Sequence, residues 1–333
     1  MSAARGSPVI AALVALALEA CGDSASTSEA GGGAGGEGGG SSAGGHYQGG
    51  AAVDPNAVVG TFEIELPAAT EDGIPSIVGK VYDGPTPQTL VWEASTEDGD
   101  CRLFTPRVPY CPDPCGGDAA CVEDETCQPY PTARSVGAVT LSGVNTESGE
   151  PITLTPVANG YQSVSDMLVE PPFAGGDEIA LAAEGGYFAP FSISARGIAA
   201  LSFPNESLAL SAGTGLALTW DPAESSESRI HIKVDLSHHG GTKGKIECDV
   251  ADDGAAEISA ALVDELMGLG LAGFPTIVIA RRQVGATDIE VGTVELVIAS
   301  SVEIPIDIDG LISCTDDTQC PDDETCQTDL TCQ

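Results

Sequence analysis

The chain has 333 residues, and its 50 acidic and 12 basic side chains give a formal charge of −38. A surface this negative repels phosphate backbones, so the charge argues against nucleic acid as a partner. Hydrophobic residues make up 42% of the chain, which is enough for a packed core, so a wholly disordered chain is excluded. The simplest interpretation of the charge is that it keeps a secreted protein soluble.

The first 20 residues have the organisation of a signal peptide. Arg5 precedes an apolar run over residues 9–18, which is too short to span a membrane. The next residues, LEAC at 18–21, resemble the lipobox of bacterial lipoproteins. The resemblance implies cleavage before Cys21, acylation of Cys21 as the lipid-bearing first residue and, with Gly22 next, an outer-membrane location. An ordinary signal peptide with Cys21 merely nearby is the alternative.

Residues 21–57 are rich in glycine and serine and predict a flexible tether rather than a packed element. A coil of about 36 such residues measures roughly 30–36 Å between its ends. The stretch GSSAG at 40–44 matches the G-x-S-x-G pattern of a nucleophile elbow. Because the elbow needs a strand before it and a helix after it, we assign no catalytic role to this match.

From residue 58 onwards, apolar and polar residues alternate in short runs rich in Val, Ile, Thr and Leu, separated by Gly, Asp and Pro. This pattern predicts an all-β fold with one or two antiparallel β-sandwich regions of the immunoglobulin or fibronectin kind. We place an N-terminal β region at 58–165 and a C-terminal β region at 175–306, because the Pro/Gly-rich stretch 168–178 separates them. Two sandwiches and one large sandwich both fit the pattern.

One short helix, predicted at 259–267, interrupts the C-terminal region. Ser259 is the expected N-cap, and the apolar stripe has helical spacing, with members Ile258, Leu262, Val263 and Leu266. The glycines that follow, at 268, 270 and 273, spell G-x-G-x-x-G. A dinucleotide site needs its glycines before the helix, so that the phosphates meet the positive end of the helix dipole. We therefore predict no cofactor.

Two acidic octamers nearly repeat each other, CVEDETCQ at 121–128 and CPDDETCQ at 320–327. They belong to a Cys-rich insert at 101–128 and a C-terminal Cys-rich module at 314–332, which have too little apolar surface to fold without covalent links. A signal peptide directs cysteines to an oxidising compartment, so the ten cysteines beyond Cys21 are expected to form disulfides. They are Cys101, Cys111, Cys115, Cys121, Cys127, Cys248, Cys314, Cys320, Cys326 and Cys332.

The cysteine counts constrain the pairing. The C-terminal four can pair among themselves in three ways, whereas the insert holds five, an odd number. If the C-terminal four pair internally, one cysteine of the insert must pair with Cys248. We predict that it is Cys101, and that the bridge staples the two β regions together, which requires Cα atoms within about 7 Å.

Metal binding is not expected. Zinc sites use two closely spaced Cys pairs, whereas C-x3-C occurs here once, at Cys111 and Cys115. Acidic stretches at 314–326 and 248–254 offer oxygen ligands for calcium, but neither has the loop spacing of an EF-hand. Calcium binding therefore stays as an alternative to a purely structural role for these stretches.

Residues that carry catalysis are sparse. His238 and His239 lie in a Gly-flanked hairpin and are expected to be solvated turn residues. His231 alternates with apolar residues in a strand, and nothing in the sequence places it beside a serine and a carboxylate. Trp92 and Trp220 are expected in the core rather than on a sugar-binding platform. We therefore predict no enzymatic activity.

The segments 101–144 and 313–332, together with the lipobox and the Gly-rich tether, resemble a group of predicted lipoproteins from social soil bacteria. The resemblance implies an envelope location and carries no activity with it. We expect a non-enzymatic, lipid-anchored cell-envelope protein whose β-sandwich body serves binding or structural roles. The expected partners are the outer membrane, reached through the lipid anchor, and either another envelope protein or a glycan.

Binding surfaces on such scaffolds usually lie on end loops. The insert at 101–128 and the hairpin at 238–243 are the candidate loops. An extracytoplasmic hydrolase and a calcium-dependent adhesion module are the alternatives, because a sandwich fold alone does not fix a function.

Overall fold

The computed structural model describes residues 57–69, 73–163, 167–223 and 227–333. The predicted signal peptide, Cys21 and the predicted tether up to residue 56 lie outside the described residues. Within them the chain forms 19 strands and a single α-helix, so the all-β prediction is confirmed. In the same ranges, no helix is both long and apolar enough to cross a membrane.

The strands of the first half of the chain are β1 (Val58–Leu66), β2 (Ser76–Tyr82), β3 (Val91–Asp98), β4 (Cys101–Arg107), β5 (Ala119–Glu123), β6 (Thr126–Pro129), β7 (Ala133–Arg134), β8 (Val139–Ser142), β9 (Ile152–Leu154) and β10 (Gly160–Gln162). The second half contains β11 (Glu178–Ala183), β12 (Phe191–Arg196), β13 (Leu208–Leu210), β14 (Leu216–Thr219), β15 (Arg229–Asp235), β16 (Lys245–Ala251), β17 (Ala255–Ile258), α1 (Ala260–Gly268), β18 (Thr276–Ile289) and β19 (Gly292–Ile308). A short 3-10 helix, Asp317–Gln319, follows.

Most of the strands join one long sheet of 11 strands. Its main path runs β10-β2-β1-β19-β18-β15-β16-β4-β3, with β13 beside β19 and β7 beside β2. The β1–β19 and β13–β19 pairs are parallel, which differs from the antiparallel sheets predicted from sequence. Strands joined by a tight hairpin must be antiparallel, but these pairs are far apart in sequence and can meet in either direction.

Two hydrophobic cores lie against one face of the long sheet. The first is covered by the sheet β12-β11-β8-β9 and contains Phe62, Leu181 and Leu296. The second is covered by α1 and the β14–β17 pair and contains Leu218 and Ile304. The long strand β19 contributes to both cores. The predicted division into 58–165 and 175–306 is therefore not the division of the cores.

The helix matches its prediction closely. Ser259 is the N-cap, and its hydroxyl accepts a hydrogen bond from the Leu262 backbone N–H. Leu262, Val263 and Leu266 are buried in the second core, as the helical spacing of these residues predicted. The residue at position 270, which follows the helix, is a glycine with a φ of +107°, a conformation that favours glycine.

The long sheet cannot be flat. In a flat sheet, β2 and β3 would lie seven strand spacings apart, which is roughly 34 Å. The end of β2 and the start of β3 would also be displaced along the strand direction, since they lie level with opposite ends of β18. The eight residues 83–90 connect them, and even when fully extended they reach at most roughly 32 Å. The sheet therefore curls. On the side opposite the cores, Val297, Ala299 and Lys245 are buried.

Candidate functional site

Five disulfides join the ten cysteines of the described chain, which confirms the expected disulfide bonding. They are Cys101–Cys248, Cys111–Cys121, Cys115–Cys127, Cys314–Cys326 and Cys320–Cys332. The first is the bridge predicted between the β regions: it joins directly opposed residues of β4 and β16, with Cα atoms 4.1 Å apart. The four cysteines of the C-terminal module could pair in three ways. In the structure the first of them pairs with the third, and the second pairs with the fourth.

The described chain contains two clusters in which three potential metal-ligand atoms lie close together, and both consist of cysteine sulfurs. Cys111, Cys115 and Cys121 form one, and three cysteines of the C-terminal module form the other. All of them are disulfide-bonded, so they offer no thiolate to a metal. Within the described ranges, no three carboxylate or imidazole groups approach one another as closely, so the calcium alternative gains no support from this geometry.

The first Cys module, residues 108–129, emerges from the end of β4, because residues 101–107 of the predicted insert form that strand. Arg107 links the two: its Nε lies 2.6 Å from Glu93 Oε1 and its Nη1 lies 3.0 Å from Asp124 Oδ1. Asp124 also accepts the Tyr110 backbone N–H at 2.8 Å. On the far side, Gln128 donates to the Pro85 carbonyl, so the module lies against the connection between β2 and β3.

The second Cys module, residues 312–333, packs onto the body near the candidate hairpin. The Gly273 N–H donates to the Asp329 carbonyl at 2.7 Å, and the Ser313 hydroxyl donates to the Gly273 carbonyl at 2.5 Å. Cys314 is fully buried. The hairpin at 238–243 is also tied to the body over part of its length, so it is not a free loop.

His238 is half-buried rather than fully solvated as the sequence predicted. Its ring lies 3.9 Å from that of His239, and its Nε2 is 3.7 Å from Glu303 Oε1. The His238 carbonyl accepts the Phe274 N–H at 2.8 Å, which ties the hairpin to the segment that contacts the second Cys module. Sequence reasoning missed this cluster because the three segments that form it, around residues 238, 274 and 303, are far apart in the chain.

The face of the long sheet that points away from both cores, here called the outer face, gathers much of the positive charge of the molecule. Six of the 12 lysines and arginines in the chain belong to it: Lys80, Arg102, Arg229, Lys233, Lys245 and Arg282. In a chain with a net charge of −38, this is a marked local departure. A polar, charge-rich sheet face is the first candidate for recognition.

Much of this positive charge is neutralised within the face. Arg229 Nε lies 2.9 Å from Asp249 Oδ1, and Lys245 Nζ lies 2.8 Å from Glu247 Oε1. The Lys245 ammonium also lies over the Trp92 ring, 4.1 Å from its centroid. The prediction that both tryptophans are core residues is therefore wrong for Trp92, which is half-buried on the outer face; Trp220 is buried in the second core.

Two carboxyl groups of the outer face have perturbed acidity. Burial, followed by the neighbouring Glu65 charge, raises the pKa of Glu63 to about 7. Burial also raises the pKa of Glu295, and the Arg282 charge opposes that rise. Glu65 accepts a hydrogen bond from the Ser301 hydroxyl at 2.8 Å. The face therefore carries a carboxyl that changes its charge near neutral pH, which is a common property of functional sites and also of buried charge networks.

His231 lies on the same face. Its Nδ1 is 3.3 Å from Arg282 Nη2, and burial, followed by the Arg282 charge, lowers its pKa to about 4. The imidazole is therefore neutral at neutral pH. A triad would hold it between a hydroxyl and a carboxylate, whereas its Nδ1 lies against a guanidinium.

A buried ion pair lies between the two cores. Arg281 Nε lies 2.6 Å from Asp252 Oδ2, and both side chains are almost inaccessible to solvent. Trp220 Nε1 and the Ser228 hydroxyl donate to the same carboxylate at 2.8 and 2.7 Å, and Arg281 donates to the Ala200 carbonyl at 3.0 Å. Burial raises the pKa of Asp252, but these hydrogen bonds and the Arg281 charge outweigh it and hold the pKa below its ordinary value.

Sequence reasoning missed this pair although a signal was present. In the segment TIVIARRQV, strict alternation places Arg281 on the same side as Ile277 and Ile279, towards the core. An arginine at an inward position needs a buried anionic partner. The sequence-based interpretation considered Asp252 only within the acidic stretch 248–254, as an oxygen ligand for calcium.

A small cleft lies beside this ion pair, lined in part by Gly175, Gly197, Ala199, Ser228 and Gln283. Its volume of about 70 Å³ leaves room for roughly two water molecules. Pockets for small-molecule ligands usually measure roughly 300–1,000 Å³. The cleft therefore suits a single inserted side chain or ordered water better than a substrate.

A scan against protein-family models finds no match to the chain, and a search of the curated proteins finds no significant similarity. The functional argument therefore depends on the geometry of the described residues.

Proposed function

We propose that the chain is a non-enzymatic, lipid-anchored protein of the bacterial cell envelope whose β body binds an extracytoplasmic partner. The observation that carries the proposal is the bonding of all ten cysteines of the described chain in five disulfides. Disulfides of this number form and persist in oxidising compartments outside the cytoplasm. The lipobox-like LEAC at 18–21 supplies the means of attachment at Cys21.

The contacts of the polar groups support binding rather than catalysis. Charges of the outer face are paired with one another: Arg229 pairs with Asp249 across two strands, and Lys245 pairs with Glu247 along β16. The Arg281–Asp252 pair is enclosed and satisfied by surrounding donors and carbonyls. Groups engaged in this way stabilise one rigid body, which is what display of a binding surface requires.

The anchor is tested by expressing the full chain in a bacterial host supplied with labelled palmitate. We expect label on the protein, recovery in the membrane fraction and loss of both in the Cys21→Ser variant. Alkylation of the purified chain without reduction should modify none of the ten cysteines from Cys101 to Cys332. An unlabelled wild-type protein, or a variant that fractionates and labels like wild type, contradicts lipid anchoring.

A further inference from the structure

The surface next to β7 carries two of the three exposed tyrosines that lie among the exposed large hydrophobic side chains of the described chain. Tyr130, Val157 and Tyr187 are 52%, 80% and 58% exposed, although aromatic residues make up only 5% of the chain. All three lie along the segment 130–135. Tyr130 begins it, the turn of Val157 is tied to it by a hydrogen bond from Asn159 to the Ala133 carbonyl, and the Tyr187 N–H donates to the Ser135 carbonyl.

Tyr187 is held rigidly despite its exposure. The Arg134 guanidinium lies over its ring, 4.4 Å from the centroid, and the Phe188 ring meets it edge-on at 4.9 Å. Arg134 is fixed in turn, because its Nε and Nη2 donate to Asp83 Oδ2 at 2.8 and 2.6 Å. The Thr132 N–H donates to the other oxygen of that carboxylate at 2.6 Å. The ring is thus supported from one side, and its exposure shows that solvent reaches the rest of it.

The electrostatics of this surface favour an uncharged partner. The Thr132 N–H and then the Arg134 hydrogen bond hold the pKa of Asp83 below its ordinary value, so Asp83 stays ionised and neutralises Arg134. The Arg134 charge is thus balanced by that carboxylate, and its guanidinium also supports the Tyr187 ring, so this surface presents no net positive charge from Arg134 to an anionic ligand. The molecule as a whole, at −38, repels anionic polymers.

We propose that Tyr130, Val157 and Tyr187, here called the tyrosine platform, bind a neutral glycan. A pyranose ring has an apolar face of C–H groups that stacks on an aromatic ring and a rim of hydroxyls that pair with phenol and backbone groups. A ring that is already fixed loses little entropy when such a ligand binds. The inference rests on the proposed binding function and specifies its partner.

The test is isothermal titration calorimetry of the purified full chain in detergent with four probes: cellohexaose, maltohexaose, chitohexaose and hexagalacturonate. We expect at least one neutral hexaose to bind and the anionic one to bind no better than about a tenth as tightly, because like charges repel. Tyr187→Ala should weaken binding by about tenfold or more, since it removes the stacked ring, whereas Tyr187→Phe should retain most of it.

Tyr110→Ala is the matched control, because Tyr110 is 71% exposed but belongs to the first Cys module, and it should leave binding unchanged. Three results overturn the inference: no neutral hexaose binds, binding survives Tyr187→Ala, or hexagalacturonate binds best. Palmitate labelling at Cys21 distinguishes the outcomes, because a labelled, anchored protein that binds no hexaose loses only the glycan assignment.

Discussion

The two Cys modules contain nearly the same octamer, yet they fold it differently. In the first module, CVEDETCQ forms the hairpin β5–β6, with Cys121 opposite Cys127 and a positive φ at Glu125. In the second module, CPDDETCQ forms no such hairpin, and Cys326 instead lies opposite Cys332 in a β-bridge. A shared local sequence therefore does not fix the local structure here.

The position of the fourth cysteine explains the difference. One bond is equivalent in the two modules, Cys115–Cys127 and Cys314–Cys326, each spanning 12 positions. The other bond runs in opposite directions along the chain: the first cysteine of the octamer pairs backwards to Cys111 in one module and forwards in the other. Since these segments bury little apolar surface, the covalent links decide which stretches lie side by side.

The modules also differ in their attachment. The first is held by side chains, through the exposed Arg107–Asp124 pair at β4 and the Gln128 hydrogen bond to the Pro85 carbonyl. The second is attached by backbone hydrogen bonds at Gly273 and by the buried Cys314. We therefore expect the second module to share the stability of the body and the first to unfold on its own.

The largest expected effect comes from removing one bridge of each module. Cys320→Ala/Cys332→Ala should lower the free energy of unfolding of the body by about 2–4 kcal/mol, because the module opens and its contacts with Gly273 are lost. Denaturant unfolding measures this change, and hydrogen exchange at the Gly273 and Phe274 amides should accelerate. The matched variant Cys111→Ala/Cys121→Ala should change the unfolding of the body by less than about 1 kcal/mol. Equal losses in the two variants would refute the difference in attachment.

A pair of glycine substitutions makes the same comparison without touching a disulfide. Gly273 has a φ of +55°, and an added β-carbon would overlap the His238 carbonyl, so Gly273→Ala should cost about 2–3 kcal/mol. Gly116, in the first module, has a φ of +82°, and the nearest obstacle is the flexible Asp118 side chain at 3.3 Å. Gly116→Ala should therefore cost only about 1 kcal/mol, from backbone strain. Thermal and denaturant unfolding of both variants give the comparison, and a larger loss for Gly116→Ala contradicts it.

Whether a structural feature could be predicted from the sequence depends on how far apart its interacting residues lie along the chain. Alternation and capping are local, so the strands and the N-cap at Ser259 could be inferred from neighbouring residues. Counting could predict that one insert cysteine pairs with Cys248, provided that the C-terminal four pair internally, although the Cys101–Cys248 bridge spans 147 positions. The sharing of β19 by two cores was not predictable, because it depends on strands that meet from distant parts of the chain.

The candidate site was less predictable than the fold for the same reason. The Tyr187 ring depends on Arg134 and Asp83, which alternation along one strand cannot place together. The loop candidates chosen from sequence were only partly useful, since the hairpin at 238–243 is tied down at Phe274. Arg281 could have been found, because its inward position in β18 was visible in the alternation.

A smaller effect is expected from breaking the attachment of the first module directly. Arg107→Gln removes the ion pairs with Glu93 and Asp124, which are more than a third exposed, so the loss of stability should be about 1 kcal/mol or less. Hydrogen exchange at the Tyr110 amide should accelerate, and the difference from wild type should shrink in about 1 M salt, where charges are screened. Arg102→Gln is the control, because Arg102 is similarly exposed but pairs with Glu97 outside the module. An equal response at Tyr110 to both substitutions contradicts the attachment.

The smallest expected effect is that of low pH, which should weaken the attachment of one module and not that of the other. The Tyr110 N–H and then Arg107 lower the pKa of Asp124, and the Thr318 hydroxyl and N–H lower that of Asp316. Because the folded pKa values are depressed, each contribution is present above the ordinary aspartate pKa of about 3.9 and is lost as the pH falls below it.

As the pH falls through the folded pKa of Asp124, the first module should therefore be held less tightly to β4, whereas the attachment of the second should not change, since the hydrogen bonds at Gly273 and the buried Cys314 do not titrate. Amide exchange at Tyr110 and Gly273 at pH 3 and pH 6, corrected for the intrinsic exchange rate, follows the two attachments separately. Asp124→Asn should abolish the pH dependence at Tyr110 and leave Gly273 unchanged. Simultaneous release of both modules in acid would mean that the second module also depends on a carboxylate, and that the difference in attachment lies elsewhere.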